Sequence, residues 1–383
     1  MTSRRLLILG VLALVAILAA VLLVNRRSAT PVSALPAALY PELKGQLDAV
    51  DAVRIYKAGD ARAVELLRAK DGWAVAEREG YGADAVKVRK LLLALAEAKP
   101  VEQKTSSAEH YAKLGVEDVS QPTATGARLE LHGQKVPVNL IVGKPGNGPQ
   151  ATYVRRAGEP ASWLINETLD TSSTADAWLR KEIIDVSADR TQSASVTVGD
   201  AKSYSAAKQT RADADFKVDG LPKGKELTSP TAANGVASAL AGLTLADVRS
   251  VKDFAAEKPA AHATLKTFDG LVVNADGWIK DGKHYVALKT AYDDALAKQF
   301  HVEAAPADKA DAKKPDAKSD APPAAAVPAP APAPNIADEA STANAKLAGW
   351  VYEVPEYKYE AIFKPVDELL KKDEKKAAKI GKQ

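Results

Sequence analysis

The sequence predicts an α+β protein, with an N-terminal transmembrane helix followed by two duplicated halves, each a curved antiparallel sheet with a helix packed on one face. Three observations predict it. Short runs of alternating apolar and polar residues are separated by Asp-Gly and other Gly-containing turns, as in antiparallel hairpins. Leu-rich segments with a helical period interrupt those runs. The order strand–strand–strand–helix–strand, then further hairpins, occurs twice, at offsets of about 143 residues for the first strand and about 135 for the hairpin block.

The first element is the anchor. Leu6 to Val24 is uncharged and apolar throughout, and nineteen residues at about 1.5 Å each give roughly 28 Å of helix, close to the hydrocarbon thickness of a bilayer. A cleaved signal peptide is the alternative, but its apolar core would usually run only about 7–15 residues. Arg4 and Arg5 precede the stretch and Arg26 and Arg27 follow it, so the N-terminal amine tips the charge balance towards an inside N-terminus. Residues 1–27 are thus expected to cross a bilayer, and the rest of the chain to lie outside the cytoplasm.

Residues 28–48 read as a Pro/Ala-rich linker. The first half, 49–185, opens with strands at Ala52–Lys57 and Ala63–Ala69, an Asp71-Gly72 turn and a third strand from Trp73. Asp84 caps a predicted helix to Ala98, whose Val88, Leu91, Leu92 and Leu95 form one stripe before Pro100 stops it. Strands follow at Ala127–His132, Lys135–Val142, Thr152–Arg156 and Ser162–Ile165, with Gly143–Pro149 as a loop, then a short helix at Thr174–Arg180.

The second half, 186–303, repeats the order. Ala194–Val198, Tyr204–Lys208 and Asp215–Val218 read as strands. Ser229-Pro230 reads as the start of a helix carrying Ala233, Val236, Leu240 and Leu243. Val248–Val251, His262–Phe268, Leu271–Asn274, Trp278–Ile279 and His284–Leu288 are extended, with turns at Asp269-Gly270, Asp276-Gly277 and Asp281-Gly282. Residues 304–345 are dominated by Ala, Pro, Lys and Asp and read as a disordered tether. Residues 346–370 regain strand and helix character and are expected to complete the second sheet. The Lys-rich tail, 371–383, closes the chain.

Composition narrows the function classes. Of 383 residues 46% are hydrophobic and 26% charged, which excludes wholesale disorder, and the absence of Cys excludes disulfides, thiolate metal sites and a Cys nucleophile. The net charge is +3, and Lys364–Gln383 alone holds seven Lys against four acids. The body is therefore neutral overall, which argues against a nucleic-acid partner. Gly143–Gly148 lacks the Gly-Lys-Ser/Thr ending of a phosphate loop. Asp213–Gly220 resembles a calcium loop, but Lys217 stands where a ligand oxygen is needed. His110, His132, His262, His284 and His301 show no metal spacing, although His262 and His284 could approach across neighbouring strands. No catalytic, cofactor-binding or metal-ligating residue is assigned. The surface candidates are Trp73 and Trp278, each following an Asp-Gly pair; they are either a paired ligand platform or core anchors, and tryptophan's large apolar area favours the second.

Read in order, Ala63–Val75, Leu91–Ala98, Tyr111–Glu117 (YAKLGVE), Leu140–Lys144 (LIVGK), Tyr153-Val-Arg155 and Trp178–Ile184 (WLRKEII) follow the anchor. Together they resemble the bacterial family catalogued as domain of unknown function 4340. The resemblance implies a single-pass inner-membrane protein with its bulk in the periplasm, accessory to ABC-type transporters, including those linked to gliding motility. It implies no cofactor and no catalytic residues. The expected function is therefore a non-enzymatic, membrane-anchored binding or scaffold protein whose partners are the bilayer, through Leu6–Val24, and ABC transporter membrane components. The alternative is a periplasmic carbohydrate or cell-wall binding protein or hydrolase.

Overall fold

The computed structural model describes residues 37–201, 203–300 and 335–371. The expected anchor (1–27), the start of the linker (28–36), residues 301–334 and the tail after Lys371 lie outside the described residues. No helix among the described residues is long and apolar enough to cross a membrane. The chain divides into two compact units between Trp178 and Leu179, upstream of the 185/186 boundary read from the sequence.

The first unit contains β1 (Ala52–Lys57), β2 (Ala61–Ala69), β3 (Gly72–Val75), β4 (Tyr81–Gly82), α1 (Ala85–Glu97), β5 (Pro100–Gln103), α2 (Tyr111–Leu114), β6 (Ala127–His132), β7 (Val138–Pro145), β8 (Thr152–Arg156) and β9 (Ser162–Ile165). Its nine strands form one antiparallel sheet in the order β4-β3-β2-β1-β6-β7-β8-β9-β5. The register puts apolar partners on one face. Val53 stands opposite Leu66 and Leu131, and Ile55 opposite Val64 and Leu129. All six are buried.

The α1 helix forms where the sequence supplies a cap and a stripe. The Asp84 carboxylate accepts the backbone N–H groups of Val86 and Lys87, each at 3.0 Å. Val88, Leu91, Leu92 and Leu95 are buried, and burial of each such side chain contributes about 1.5–3 kcal/mol before entropy is counted. Part of the segment read as linker belongs to this core: Leu39, Tyr40 and Leu43 are buried. Leu39 N–H donates to the Ala98 carbonyl at 2.7 Å, and a 3-10 helix runs over Leu43–Ala49.

The second unit contains β10 (Glu182–Ile184), β11 (Thr191–Val198), β12 (Tyr204–Ala207), β13 (Lys217–Asp219), α3 (Asn234–Ala237), β14 (Leu243–Thr244), β15 (Asp247–Ser250), β16 (Ala261–Thr267), β17 (Leu271–Lys280), β18 (Lys283–Tyr292), α4 (Asp294–Gln299), α5 (Ile336–Leu347), β19 (Trp350–Val354), α6 (Glu356–Ile362) and α7 (Val366–Leu369). Eight strands form a sheet in the order β13-β12-β11-β16-β17-β18-β19-β15, and β10 pairs separately with β14. Leaving out edge strand β4, the first sheet's order β3-β2-β1-β6-β7-β8-β9-β5 is the same, strand for strand. One connection differs. A short turn, residues 157–161, joins β8 to β9, whereas residues 293–349 separate their counterparts β18 and β19. Even so, β19 pairs with β18 on one side and β15 on the other.

Four sequence expectations are corrected. Residues 335–345, read as the end of a disordered tether, cap and enter α5: Asn335 accepts the Ala337 N–H at 3.1 Å, and Ala340 and Leu347 are buried. The Asp276-Gly277 pair is no turn, because β17 runs unbroken from Leu271 to Lys280. Gly277 makes room instead, since a Cβ there would lie 2.5 Å from the Phe363 ring. Gly143 and Lys144 extend β7 rather than opening a loop. Ser229-Pro230 does not start a long helix: α3 is one turn. There the Asn234 side chain is committed to Asp215 Oδ1 at 2.9 Å and the Phe216 N–H at 3.2 Å.

Candidate functional site

Neither tryptophan singled out from the sequence is a surface platform. Trp73, on β3, is 9% exposed, and the Arg68 guanidinium lies 4.9 Å from its ring centroid. Trp278, on β17, is 7% exposed, donates from Nε1 to the Glu257 carbonyl at 3.1 Å, and lies 5.4 Å from the Phe254 ring. They belong to different units and to strands that are not counterparts. The physical reason is area: each indole gains more from an apolar neighbourhood with one polar partner than from display to water.

Three of the sequence segments that carried the family resemblance, Tyr111–Glu117, Leu140–Lys144 and Tyr153-Val-Arg155, converge. Residues after β5 cross one face of the first sheet, where Tyr111 and Val116 pack on Ile141 of β7, with Leu114, Tyr153 and Ala157 around them. Arg155, on β8 and only 3% exposed, holds that crossing in place. Its Nε donates to Val116 O at 2.8 Å, one terminal nitrogen to Glu159 O at 3.0 Å, and the other to Asp118 at 2.5 Å. Its guanidinium carbon lies 4.5 Å from the Tyr111 centroid, and the Tyr111 hydroxyl donates to Pro160 O at 2.7 Å. Gly143 is needed because a Cβ there would stand 2.3 Å from Leu114 O. The Lys144 ammonium then donates to the Ala112 and Lys113 carbonyls at 3.2 and 3.3 Å, near the C-terminal end of α2, where a cation is favoured. In the second unit Phe254, between β15 and β16, likewise packs on Trp278, Tyr285 and Val351. These motifs fasten a crossing segment to a sheet, and every polar group of Arg155 is already engaged.

An open cleft of about 600 Å³ lies in the second unit, between the β10 segment and α5. Arg180, Glu182 and Asp185 line one wall, and Asp338, Thr342 and Lys346 the other. The helix is fixed from beneath. Arg190 makes a two-pronged pair with Glu339 at 2.9 and 3.1 Å, and its Nε donates to Asp269 at 2.9 Å. Thr290 adds a hydroxyl donation to Ala340 O at 2.7 Å. Burial alone would raise the Asp269 carboxyl, but the hydrogen bonds from Thr267 and Arg190, with the Arg190 charge, together hold it below its ordinary value. The same two carboxylates keep Arg190 firmly protonated despite its burial. The cleft's α5 wall falls in the connection that is a short turn, residues 157–161, in the first unit. Sequence reasoning missed it, although Asn335 as cap and the spacing of Ile336, Ala340 and Leu347 carried the signal.

In the first unit, α1 presents an outward ridge. Val86 is 78% and Leu93 43% exposed, and Arg89 and Lys90 stand between them, also exposed. A groove of about 380 Å³ on one side is lined by Leu47, Arg68, Trp73, Arg89, Leu92 and Leu93. A shallower one of about 790 Å³ on the other is lined by Val86, Lys87, Lys90, Leu169 and Asp170, among others. Lys87 is engaged there, 3.1 Å from Asp170, with a donation to Ala177 O at 2.8 Å. Burial would raise the Asp170 carboxyl, but hydrogen bonds from Ser172 and Lys87 and the Lys87 charge together lower it.

Among the described residues no cluster of three or more His, Asp or Glu side chains is placed to hold a metal ion. His262 and His284 are not on neighbouring strands, since β17 runs between theirs, and His262 Nδ1 sits 2.6 Å from Asp276 instead. In the calcium-like stretch Asp213 caps its own loop, accepting from Gln209 N–H at 2.8 Å and Thr210 N–H at 3.0 Å.

A family model described as a domain of unknown function, DUF4340, matches residues 73–266, from β3 of the first sheet into β16 of the second. No curated protein and no solved structure matches the chain. The matched stretch covers half of the chain and takes in YAKLGVE, LIVGK, Tyr153-Val-Arg155 and WLRKEII, so the chain belongs to the DUF4340 family.

Proposed function

We propose that this chain is a membrane-anchored binding and scaffold protein, with its body outside the cytoplasm, accessory to an ABC-type transport or envelope-assembly system. The observation that carries the reading is the cleft between β10 and α5. It is open, lined by both signs of charge, and built by a helix that lies in the enlarged β18–β19 connection. Such a cleft suits a polar peptide segment or a small polar ligand. The shared strand order supports descent of the two units from one duplicated ancestor, the second having gained the cleft through its enlarged β18–β19 connection.

The test is co-purification from native membranes. The wild-type chain should bring down transporter membrane components, and Thr342→Arg, which places a long cation in the cleft, should release them. Recovery of no membrane partner by the wild type would refute the reading. Glu182 and Asp338, on opposite walls, favour a second reading, a carbohydrate or cell-wall binder or hydrolase. Saturable binding of peptidoglycan fragments that Asp338→Asn abolishes would select it.

A further inference from the structure

We propose that the outward ridge of α1 seats on an anionic lipid surface, beside the point where the chain leaves the bilayer. The proposal rests on the membrane-anchored part of the reading above. Val86, Arg89, Lys90 and Leu93 occupy positions i, i+3, i+4 and i+7, and so form one stripe two turns long. Two exposed apolar side chains bracket two cations. Neither Arg89 nor Lys90 has a side-chain hydrogen bond or ion pair among the described residues. A helix with an apolar and basic outer face is the pattern that lies in a lipid interface: the cations meet headgroup phosphates and the apolar tips enter the acyl boundary.

Two of the acids nearby are already engaged. Asp84 is occupied as the cap of α1, and Asp170 is paired with Lys87 at 3.1 Å. Asp48 stands across the smaller groove, on the 3-10 helix that also supplies Leu47.

Position supports a bilayer as the occupant. The described chain begins at Ala37 and runs against α1 at once: Leu39 donates to Ala98 O at 2.7 Å, and Lys44 pairs with Glu97 at 3.4 Å. Between Val24, the end of the apolar stretch, and Ala37 lie residues 25–36, which span at most about 42 Å when fully extended. The ridge is therefore tied within a short radius of the membrane surface, and its docking is intramolecular, helped by a high effective concentration. An acidic protein segment would match the same charges but would have to supply its own groove for a convex ridge. A bilayer offers anions above an apolar layer and needs no groove.

The chain has no cysteine, so single labels are clean. Val86→Cys carrying an environment-sensitive fluorophore is placed in the full chain, in nanodiscs of phosphatidylcholine alone or mixed equally with phosphatidylglycerol. Val101→Cys, on β5, is the control. The expected result is a blue-shifted, quencher-protected label at position 86, only in the anionic discs, with position 101 unchanged. Replacing Arg89 and Lys90 together by Gln should lower the docked-to-undocked ratio roughly thirtyfold, because each cation near an anionic surface strengthens attachment about fivefold. A label equally exposed in both discs, or equally buried in both, overturns the proposal. Burial only in native membranes, and not in anionic discs, overturns it in favour of an acidic protein. A full chain that stays out of the discs altogether refutes the anchored reading itself, and is distinguished by flotation.

Discussion

Replacing Arg155 by Met tests whether the family's motifs serve to fasten the 111–126 crossing to the sheet. Met keeps the apolar stem but removes two donations to backbone carbonyls, one charged pair with Asp118 and the stacking on Tyr111. The carbonyl bonds contribute about 1 kcal/mol each and the charged one about 1.5–3. Asp118 is half-exposed and regains water, so the total loss is about 3–5 kcal/mol. Hydrogen exchange read by mass spectrometry on peptides covering 111–126 is the assay. The local opening should accelerate on the order of a thousandfold, while peptides of the second unit stay unchanged. Asp118→Asn, which keeps the Arg155 carbonyl bonds, should change exchange by less than about tenfold. If Arg155→Met stayed within that smaller range, the motifs would have to be explained by something other than fastening.

Four further outcomes are expected. Arg190→Gln removes the pair that fixes α5 from beneath, so exchange in 336–347 should rise while β11 and β16 remain protected; unchanged protection would mean that Thr290 and packing suffice. Gly277→Val should displace Phe363 and lower stability by about 1–3 kcal/mol, as measured by urea unfolding, and Phe363→Ala in the same chain should restore part of the loss. Lowering pH should destabilise the second unit. Asp269 has a folded pKa below its ordinary value, so its contribution is full above the usual carboxylate range, about 3.9, and disappears as pH falls through the lowered value. Asp269→Asn should flatten that dependence, and parallel curves for the two proteins would count against it. A protease site installed within 322–334 should give a fragment that still co-elutes with the rest after cutting, because β19 is hydrogen-bonded to both β18 and β15; separation on native gel filtration would refute this.

The first unit was the more legible in the sequence because its elements are local. Asp84 and the Val88–Leu95 stripe specify α1 within one segment, and Asp-Gly or Gly-Gln turns join neighbouring strands. The errors in the second unit have a common origin. Gly277 reads as a turn when its neighbours are considered alone, and only the distant Phe363 explains it. Glu339 and Ala340 read as part of a Pro/Ala segment until Arg190 and Thr290 supply their partners. The tryptophans drew notice by their turns, whereas what they pack against lies outside those turns: the cross-strand Arg68 for one, Phe254 and Glu257 for the other. The cleft escaped for the same reason, since its two walls are more than a hundred positions apart in the chain.

The long interval between β18 and β19 also bears on how the protein is made. Residues 293–349 must leave the ribosome before the last sheet strand can arrive, a delay of roughly 3–12 s at ordinary elongation rates. During that time the nascent second sheet has an unsaturated edge along β18, whose unpaired amides could recruit a neighbouring polypeptide. The lysines at 283 and 289 in that strand place charge on the temporary edge, so β18 carries its own guard against premature pairing until Trp350–Val354 closes it.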